Sequence, residues 1–291
     1  VARAKPTPAA KAANKAGSRR KGAAAAGPTL AEQADRHALY QRAVQFPSAD
    51  VEFFHRTFRS ARGRSPQLLR EDFCGTALLS ATWAASGPRR RAIGVDLDAP
   101  TLAWGQAHNV DTAGRSVARR VSLVHGDVRK VRTEPADIVC AMNFSFCVFH
   151  ARRELLAYAR RVRSQLAEDG MFVAELHGGT EAIVADTQTR ELDGGVTYVW
   201  QQASFNPIDH RTLCHIHFEF PDGSALRPAF TYDWRLWTLP ELRDVLLEAG
   251  FRAVEVYWDR VDEDGEGTGE YVRTEVEENQ ETWLVYVVAL R

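Results

Sequence analysis

The chain is poor in several things at once, and each shortage closes off a class of protein. Only four of its 291 residues are cysteine (Cys74, Cys140, Cys147 and Cys214), and none are spaced as a CxxC pair. That excludes a paired-cysteine metal or redox motif and predicts a reduced, cytosolic protein. There is no secretory signal and no run of about 18 apolar residues, so no membrane span is expected. Lysine is nearly confined to the first 28 residues, which hold four of the five, with only Lys130 beyond them. Those 28 residues carry seven basic side chains and no acid. With the seven removed, 30 basic residues face 38 acidic ones, so the rest of the chain has a balance of -8.

An Ala/Lys/Pro/Gly-rich stretch cannot bury a core, and residues 1–28 are expected to be disordered. Such a tail can be a solubilising arm, a nucleic-acid contact or an acid-free transit peptide. Its alanine runs lack the Leu or Phe of an amphipathic face, which favours the first. Residues 29–291 remain, and at 45% apolar content the chain can bury a substantial core.

Along that remainder, "TLAEQADRHALYQRAVQ" and "SADVEFFHRTFRSA" read as two helices with Pro47 between them. Strand-like and helix-like segments then alternate: "QLLRED", a helix over 76–86 capped by Thr76, "RRAIGVDLD", a helix over 99–109, "VSLVHGD", "ADIVCAMNF", a helix over 151–167 and "MFVAELH". Apolar strands alternating with amphipathic helices predict a parallel sheet covered on both faces. From about 196 to 237 the period changes to two. "VTYVWQQASF", "TLCHIHFEF" and "PAFTYDW" predict an antiparallel β meander inserted into the α/β pattern. "TLPELRDVLLEAGF" is a helix, and "RAVEVYW" and "TWLVYVVAL" follow as a strand pair. Between that pair, residues 259–281 hold ten acids against Arg260 and Arg273, which reads as a solvated loop.

Polar groups recur at the ends of four successive strands: Glu71, Asp96, Asp127 and Asn143. Each alone is an ordinary turn former. In register on one sheet edge they point to a nucleoside-bearing ligand, with Asp96 placed for ribose hydroxyls. A nicotinamide dinucleotide would require G-x-G-x-x-G after the first strand. Here the turn reads Phe73-Cys74-Gly75-Thr76-Ala77, and Glu71 would repel a pyrophosphate.

The wording of these strand ends resembles class I S-adenosylmethionine-dependent methyltransferases over residues 35–291. "EDFCGTA" resembles their motif I, with Glu71 as the acid, Cys74-Gly75-Thr76 as the centre, and Phe73 and Ala77 in place of the outer glycines. "GVDLD" resembles motif II, "GDV" the adenine-contact motif, and "LAEDGMFVAEL" the approach to the fifth strand. The resemblance implies a Rossmann-like, mostly parallel seven-stranded sheet with an antiparallel last strand, and S-adenosyl-L-methionine as cofactor. It implies Asp96 on the ribose, Leu97 and Val128 beside adenine, and Asp127 on the exocyclic amine. It also implies Glu71 near the methionine amino group, close backbone approach at Phe73, Cys74 and Gly75, and Tyr40 and Arg70 toward the carboxylate.

On the acceptor side, Tyr198 and Trp200 share one strand face, and Phe230, Tyr232 and Trp234 another. Such stripes serve either as core or as a substrate cage, and a cage suits an aromatic, amine or hydrophobic small molecule. His177, after the fifth strand, is the candidate base. His215, His217 and Glu219 share a face, but without further ligands no metal is expected. Asn143 and Ser145 lack the Pro-Pro-aromatic continuation of enzymes that methylate base amino groups, so nucleic acid is not the expected partner. The sequence leaves open an RNA or protein methyltransferase recruited by the tail, and a silent cofactor-binding module. It does not indicate an oligomeric state.

Overall fold

A computed structural model describes residues 27–261 and 267–291 of the protein. The expected disordered tail lies, except for its last two residues, outside the described residues. The chain begins with α1 (Leu30–Gln33), α2 (Arg36–Val44) and α3 (Pro47–Arg62). The stretch read as one helix before Pro47 is therefore two. Asp35 breaks it by accepting the His37 and Ala38 amides as an N-cap, and Pro47 opens α3 rather than separating helices.

Alternation follows: β1 (Leu68–Asp72), α4 (Leu78–Ala85), β2 (Arg91–Asp96), α5 (Ala99–Gly105), α6 (Arg115–Ala118), β3 (Val121–His125), β4 (Ala136–Ala141), α7 (Arg152–Gln165) and β5 (Leu166–Gly178). A second, four-stranded sheet comes next: β6 (Asp186–Leu192), β7 (Val196–Phe205), β8 (Arg211–Glu219) and β9 (Ala225–Arg235). Then come α8 (Leu239–Glu248), β10 (Ala253–Val261), β11 (Gly267–Thr274) and β12 (Trp283–Leu290). No helix among the described residues is long and apolar enough to cross a membrane.

The large sheet has the order β11-β10-β12-β5-β4-β1-β2-β3. β1 to β5 pair in parallel, and β12 runs antiparallel between β5 and β10. The sheet has eight strands where seven were expected. The extra one, β11, pairs with the outer edge of β10 and comes from the acidic stretch read as loop. Its one acid, Glu270, is an exposed edge charge, while Tyr271 stacks on Tyr286. The meander also gains a strand, because β6 pairs with β7 ahead of the expected start at 196. Its "DTQTREL" is largely exposed and lacks the apolar alternation that marks a strand.

β1 is buried along its whole length although three of its five residues are charged. Period-two alternation decides where each one goes. Arg70 and Asp72 face α7, where Arg70 Nε donates to Asp72 at 2.8 Å and the Tyr158 hydroxyl donates to Asp72 at 3.0 Å. Glu71 faces α4. Strand order reverses between β1 and β4, which opens a crevice at their carboxyl ends.

The first turn of that crevice is packed from below by α5. A Cβ on Gly105 would fall on the Thr76 carbonyl. After α5 the helix widens into a π-turn (Gln106–Val110), which brings Asn109 Nδ2 within 2.8 Å of the same carbonyl. Gly105→Ala should therefore force α5 away from the turn. The expected cost is about 1–3 kcal/mol by denaturant titration, with slope unchanged.

Candidate active site

The turn after β1 does without two glycines that its shape invites. Phe73, Gly75 and Ala77 lie at φ of +59°, +50° and +54°, so two side-chain-bearing residues occupy the left-handed region. That conformation costs roughly 1–2 kcal/mol per residue and persists only where neighbours over-determine it. The Cys74 amide donates to Val95 at 3.0 Å and the Ala77 amide to Cys74 at 2.7 Å. The Gly75 amide donates to Asp96 Oδ2 at 2.7 Å, and the other Asp96 oxygen accepts the Asp98 amide at 2.9 Å.

Thr76 does not cap α4 as expected. Ala77 occupies the N-cap position, and the Thr76 hydroxyl accepts from Gln41 Nε2 at 2.7 Å. The helix start is served by Glu71, which accepts both the amide and the hydroxyl of Ser80 at 2.9 and 2.6 Å. Burial drives the Glu71 carboxyl up to about 8, against these bonds and with Asp50 and Asp96 adding to the rise.

A cavity of about 570 Å³ opens above the turn, of a size to take a cofactor or drug-sized ligand. Glu71, Phe73, Cys74, Gly75, Asp96 and Asn143 line its floor, and Tyr40 comes down from α2. A Cβ on Gly75 would meet only Thr101, at 4.0 Å, so the space over the turn is open. A side pocket continues past Asp96 between Leu97, Asp127, Val128 and Phe149. Leu97 is 64% exposed and Val148 44%, two apolar side chains bare at the edge of that pocket. Asp127 is ion-paired with Arg129 at 2.8 Å, which holds its carboxyl below the usual range.

Arg70 is the correction. Its guanidinium lies under the sheet, bonded to Asp72, Thr133, Gln165 and the Val128 and Val131 carbonyls, and it does not reach the cavity. Arg36, at the start of α2, does line it, with its guanidinium 5.4 Å from the Phe230 ring centre. Nothing in the local sequence marks Arg36. Its position follows from how α1 and α2 cross the molecule: the Leu30 and Ala31 amides bond Asp222 and Ser224 in the turn between β8 and β9, while Gln41 bonds Thr76 in the turn after β1.

A second cavity, of about 360 Å³, lies under the four-stranded sheet. Tyr198, Trp200, Tyr232, Trp234 and His177 all line it. Tyr232 and Trp234 are stacked 4.5 Å apart, and Trp200 is 6.3 and 6.1 Å from them. His177 leans on Phe144 at 4.4 Å, and burial pushes its imidazole down to about 4. Glu175, which sequence reasoning missed, is 1% exposed and accepts the Asn143 amide at 2.7 Å. Tyr40, Asn143, Tyr232 and Trp234 line both cavities. Phe230 does not join the stripe, packing instead on Tyr40 and His37 in the first cavity. His215 and His217 bond Thr231 and Gln201, and among the described residues no group of three or more His, Cys, Asp or Glu is placed to hold a metal.

No protein-family model and no curated protein sequence matches the chain. Solved structures do. An S-adenosylmethionine-dependent methyltransferase from Clostridium acetobutylicum matches 86% of this chain and 96% of its own, at a TM-score of 0.63 and 15% identity. The CcbJ methyltransferase from Streptomyces caelestis matches 84% of this chain and 91% of its own, at 0.62 and 18%. A sugar N-methyltransferase from a Streptoalloteichus species matches 95% of this chain and 99% of its own, at 0.58 and 18%. At these identities the likeness is one of fold: the chain has the class I methyltransferase fold with an added antiparallel sheet.

The Glu71 carboxyl yields a pH test. Its folded value of about 8 stands above an ordinary 4.5, so folding favours the protonated form. That contribution to stability is complete below the ordinary value and is lost as pH rises through the folded one. Glu71→Gln should melt with the wild type near about pH 5 and several degrees above it near about pH 9. About 1 kcal/mol moves Tm by roughly 2–4 °C at this size. Thermal melts of the ligand-free protein at the two pH values check it.

Proposed function

We propose that the protein is an S-adenosyl-L-methionine-dependent methyltransferase acting on a small-molecule acceptor. The observation that carries this reading is the shared wall. A cleft at the strand ends, shaped for a nucleoside, meets an aromatic cavity through Tyr40, Asn143, Tyr232 and Trp234. Two ligands seated in the two spaces would face each other across that wall. Methyl transfer needs this arrangement, because it is an in-line displacement in which alignment and exclusion of water supply most of the effect.

In this reading the cofactor ribose lies on Asp96, and adenine enters the side pocket between Leu97 and Val128. The bare apolar surface of Leu97 and Val148 is then covered. Asp127 turns from Arg129 toward the exocyclic amine. The amino-acid end passes over Gly75, with its ammonium toward Glu71 and its carboxylate toward Arg36 and Tyr40. A positive group beside Glu71 lowers its pKa, so cofactor binding draws a proton from that carboxyl. On the acceptor side His177 is neutral at physiological pH but a weak base, which suits it to orient the acceptor more than to take its proton.

Asp96→Ala should weaken S-adenosylmethionine binding by about 2–4 kcal/mol in calorimetry, through the loss of two charge-assisted hydrogen bonds. Circular dichroism should be unchanged. Unaltered affinity would remove the ribose assignment. Formation of S-adenosylhomocysteine in the presence of a panel of small metabolites tests the activity itself. No turnover with any of them, in protein that binds the cofactor, would point instead to a silent binding module.

A further inference from the structure

The aromatic cavity has one arginine in its wall, and the bonding of that arginine is incomplete. Arg190 stands on β6 with Gln188, in register with Tyr198 and Trp200 of β7, and all four line the cavity. Its guanidinium stays charged at any physiological pH and carries five N–H donors. It donates to the Ala43 carbonyl, and the Tyr198 ring centre lies 5.5 Å away. Ala43 and Tyr198 line the same cavity, which puts the guanidinium at its wall. Arg190 Nε is buried without a hydrogen-bond partner, and among the described residues no carboxylate pairs with the guanidinium. Arg62, Arg161 and Arg235 also have an unpartnered Nε. Arg235 is paired with Glu241 at 2.8 Å, while Arg62 and Arg161 bond main-chain carbonyls, and none of the three lines either cavity. Arg190 alone joins an unmet donor to an enclosed space. Such a group costs stability until something pairs with it.

Two carboxylates line the same cavity from other elements. Glu175 belongs to β5 and accepts the Asn143 amide at the shared wall, and Glu181 is exposed at the mouth. Arg190 is on the second sheet, at its β6 edge. Tyr232 and Trp234, which also line the cofactor cleft, are on β9 at the opposite edge, three strand spacings or roughly 14 Å across the sheet. Resting on the methyltransferase reading above, we infer that the acceptor carries a carboxylate, which Arg190 takes at the β6 edge while the atom to be methylated lies at the β9 edge. The planar guanidinium fork matches a carboxylate through two parallel N–H···O bonds. The carboxylate is then a handle and not the group that receives the methyl. A cationic acceptor would be repelled by Arg190, and a neutral one would leave its charge unpaired. A phosphate would meet the same fork, so it forms a separate arm of the test.

The test uses binding, so it does not depend on turnover. Phenylacetate, phenethyl alcohol and phenethylamine present one ring with a negative, neutral or positive group, and phenyl phosphate adds a second oxyanion. Trp200, Trp234 and Trp283 line the cavity and report occupancy by fluorescence. The full chain should bind phenylacetate at least about tenfold more tightly than the alcohol, and the amine most weakly. Arg190→Met should erase that preference while binding the alcohol as before. Because Arg190 also ties β6 to the end of α2, that variant can fail to fold. Arg190→Lys, which keeps the charge without the fork, serves as the second and should weaken phenylacetate at least about threefold. A merely structural arginine would instead lower Tm and weaken every ligand alike. Failure of phenylacetate to bind, or equal or tighter binding of the alcohol or amine, overturns the inference, as does a carboxylate preference that survives in both variants. Tighter binding of phenyl phosphate than of phenylacetate overturns the carboxylate in favour of a phosphate. Calorimetry with S-adenosylmethionine runs alongside. A carboxylate preference without cofactor binding sinks the methyltransferase reading alone, and cofactor binding without a carboxylate preference sinks the acceptor class alone.

Discussion

The two oxygens of Asp96 hold the site together. One receives the Gly75 amide and the other the Asp98 amide, so a single carboxylate ties the turn after β1 to the turn after β2. That tie works together with the Cys74–Val95 and Ala77–Cys74 backbone bonds to keep Phe73 and Ala77 in a left-handed backbone. Glycine would adopt it at no steric cost; phenylalanine and alanine are held there by their surroundings. The Thr76 carbonyl, fixed by Asn109 and pressed by Gly105, and the Thr76 hydroxyl, bonded to Gln41, are further parts of the same constraint. The cleft is therefore open above Gly75 because everything below it is closed.

The bond from Gln41 extends the constraint beyond the α/β layer. α1 and α2 are short, and neither would be stable alone in water. They persist because they cross between two bodies. Ala31, Leu39 and Ala43 bury against Val196, Ile216, Phe218 and Phe220 of the second sheet, while Gln41 and Tyr40 reach the turn. The Trp104 indole donates to Asp35 at 2.6 Å and fixes the start of α2 from the opposite side. The helices and the second sheet thus form one roof. Because the roof meets the cleft at Tyr40 and the aromatic cavity at Tyr232 and Trp234, the two spaces cannot be shaped independently.

Much of this was legible in the sequence where periodicity carried it. The parallel core, the antiparallel β12, the last three strands of the meander (β7 to β9) and α8 with its early proline follow from apolar spacing and from Pro240 and Gly250. Asp96, Gly75 and Glu71 could be placed because a strand end is a definite location. What failed lacked such a signal. β6 alternates polar with polar, and β11 opens on Gly267 and Gly269 without apolar alternation, so each is a strand only by virtue of the partner that pairs with it. Arg70 was misplaced although the rule that places it was available: it stands two residues from Asp72 and one from Glu71, and so shares the Asp72 face. Glu175 could have been found by the same rule, since it stands two residues before His177 on β5 and shares its face. Arg36 belongs to no local pattern: its approach to the site depends on how distant segments cross, which spacing does not encode.

Three charged residues side by side in a buried strand look costly, and the geometry shows why the cost is tolerable. Arg70 and Asp72 neutralise each other beneath the sheet with Tyr158 completing the bonds, so that pair is a structural element closed to ligands. Burying such a pair gains little net energy, but removing one partner strands the other. Glu71, on the opposite face, has hydrogen bonds from Ser80 and, among the described residues, no ion pair, and burial raises its pKa. The same short strand thus satisfies one carboxylate internally and leaves the next dependent on what enters the cleft. A positive charge brought beside Glu71 would lower its pKa again, and a negative one would raise it further. That sensitivity follows from which face of β1 received the arginine.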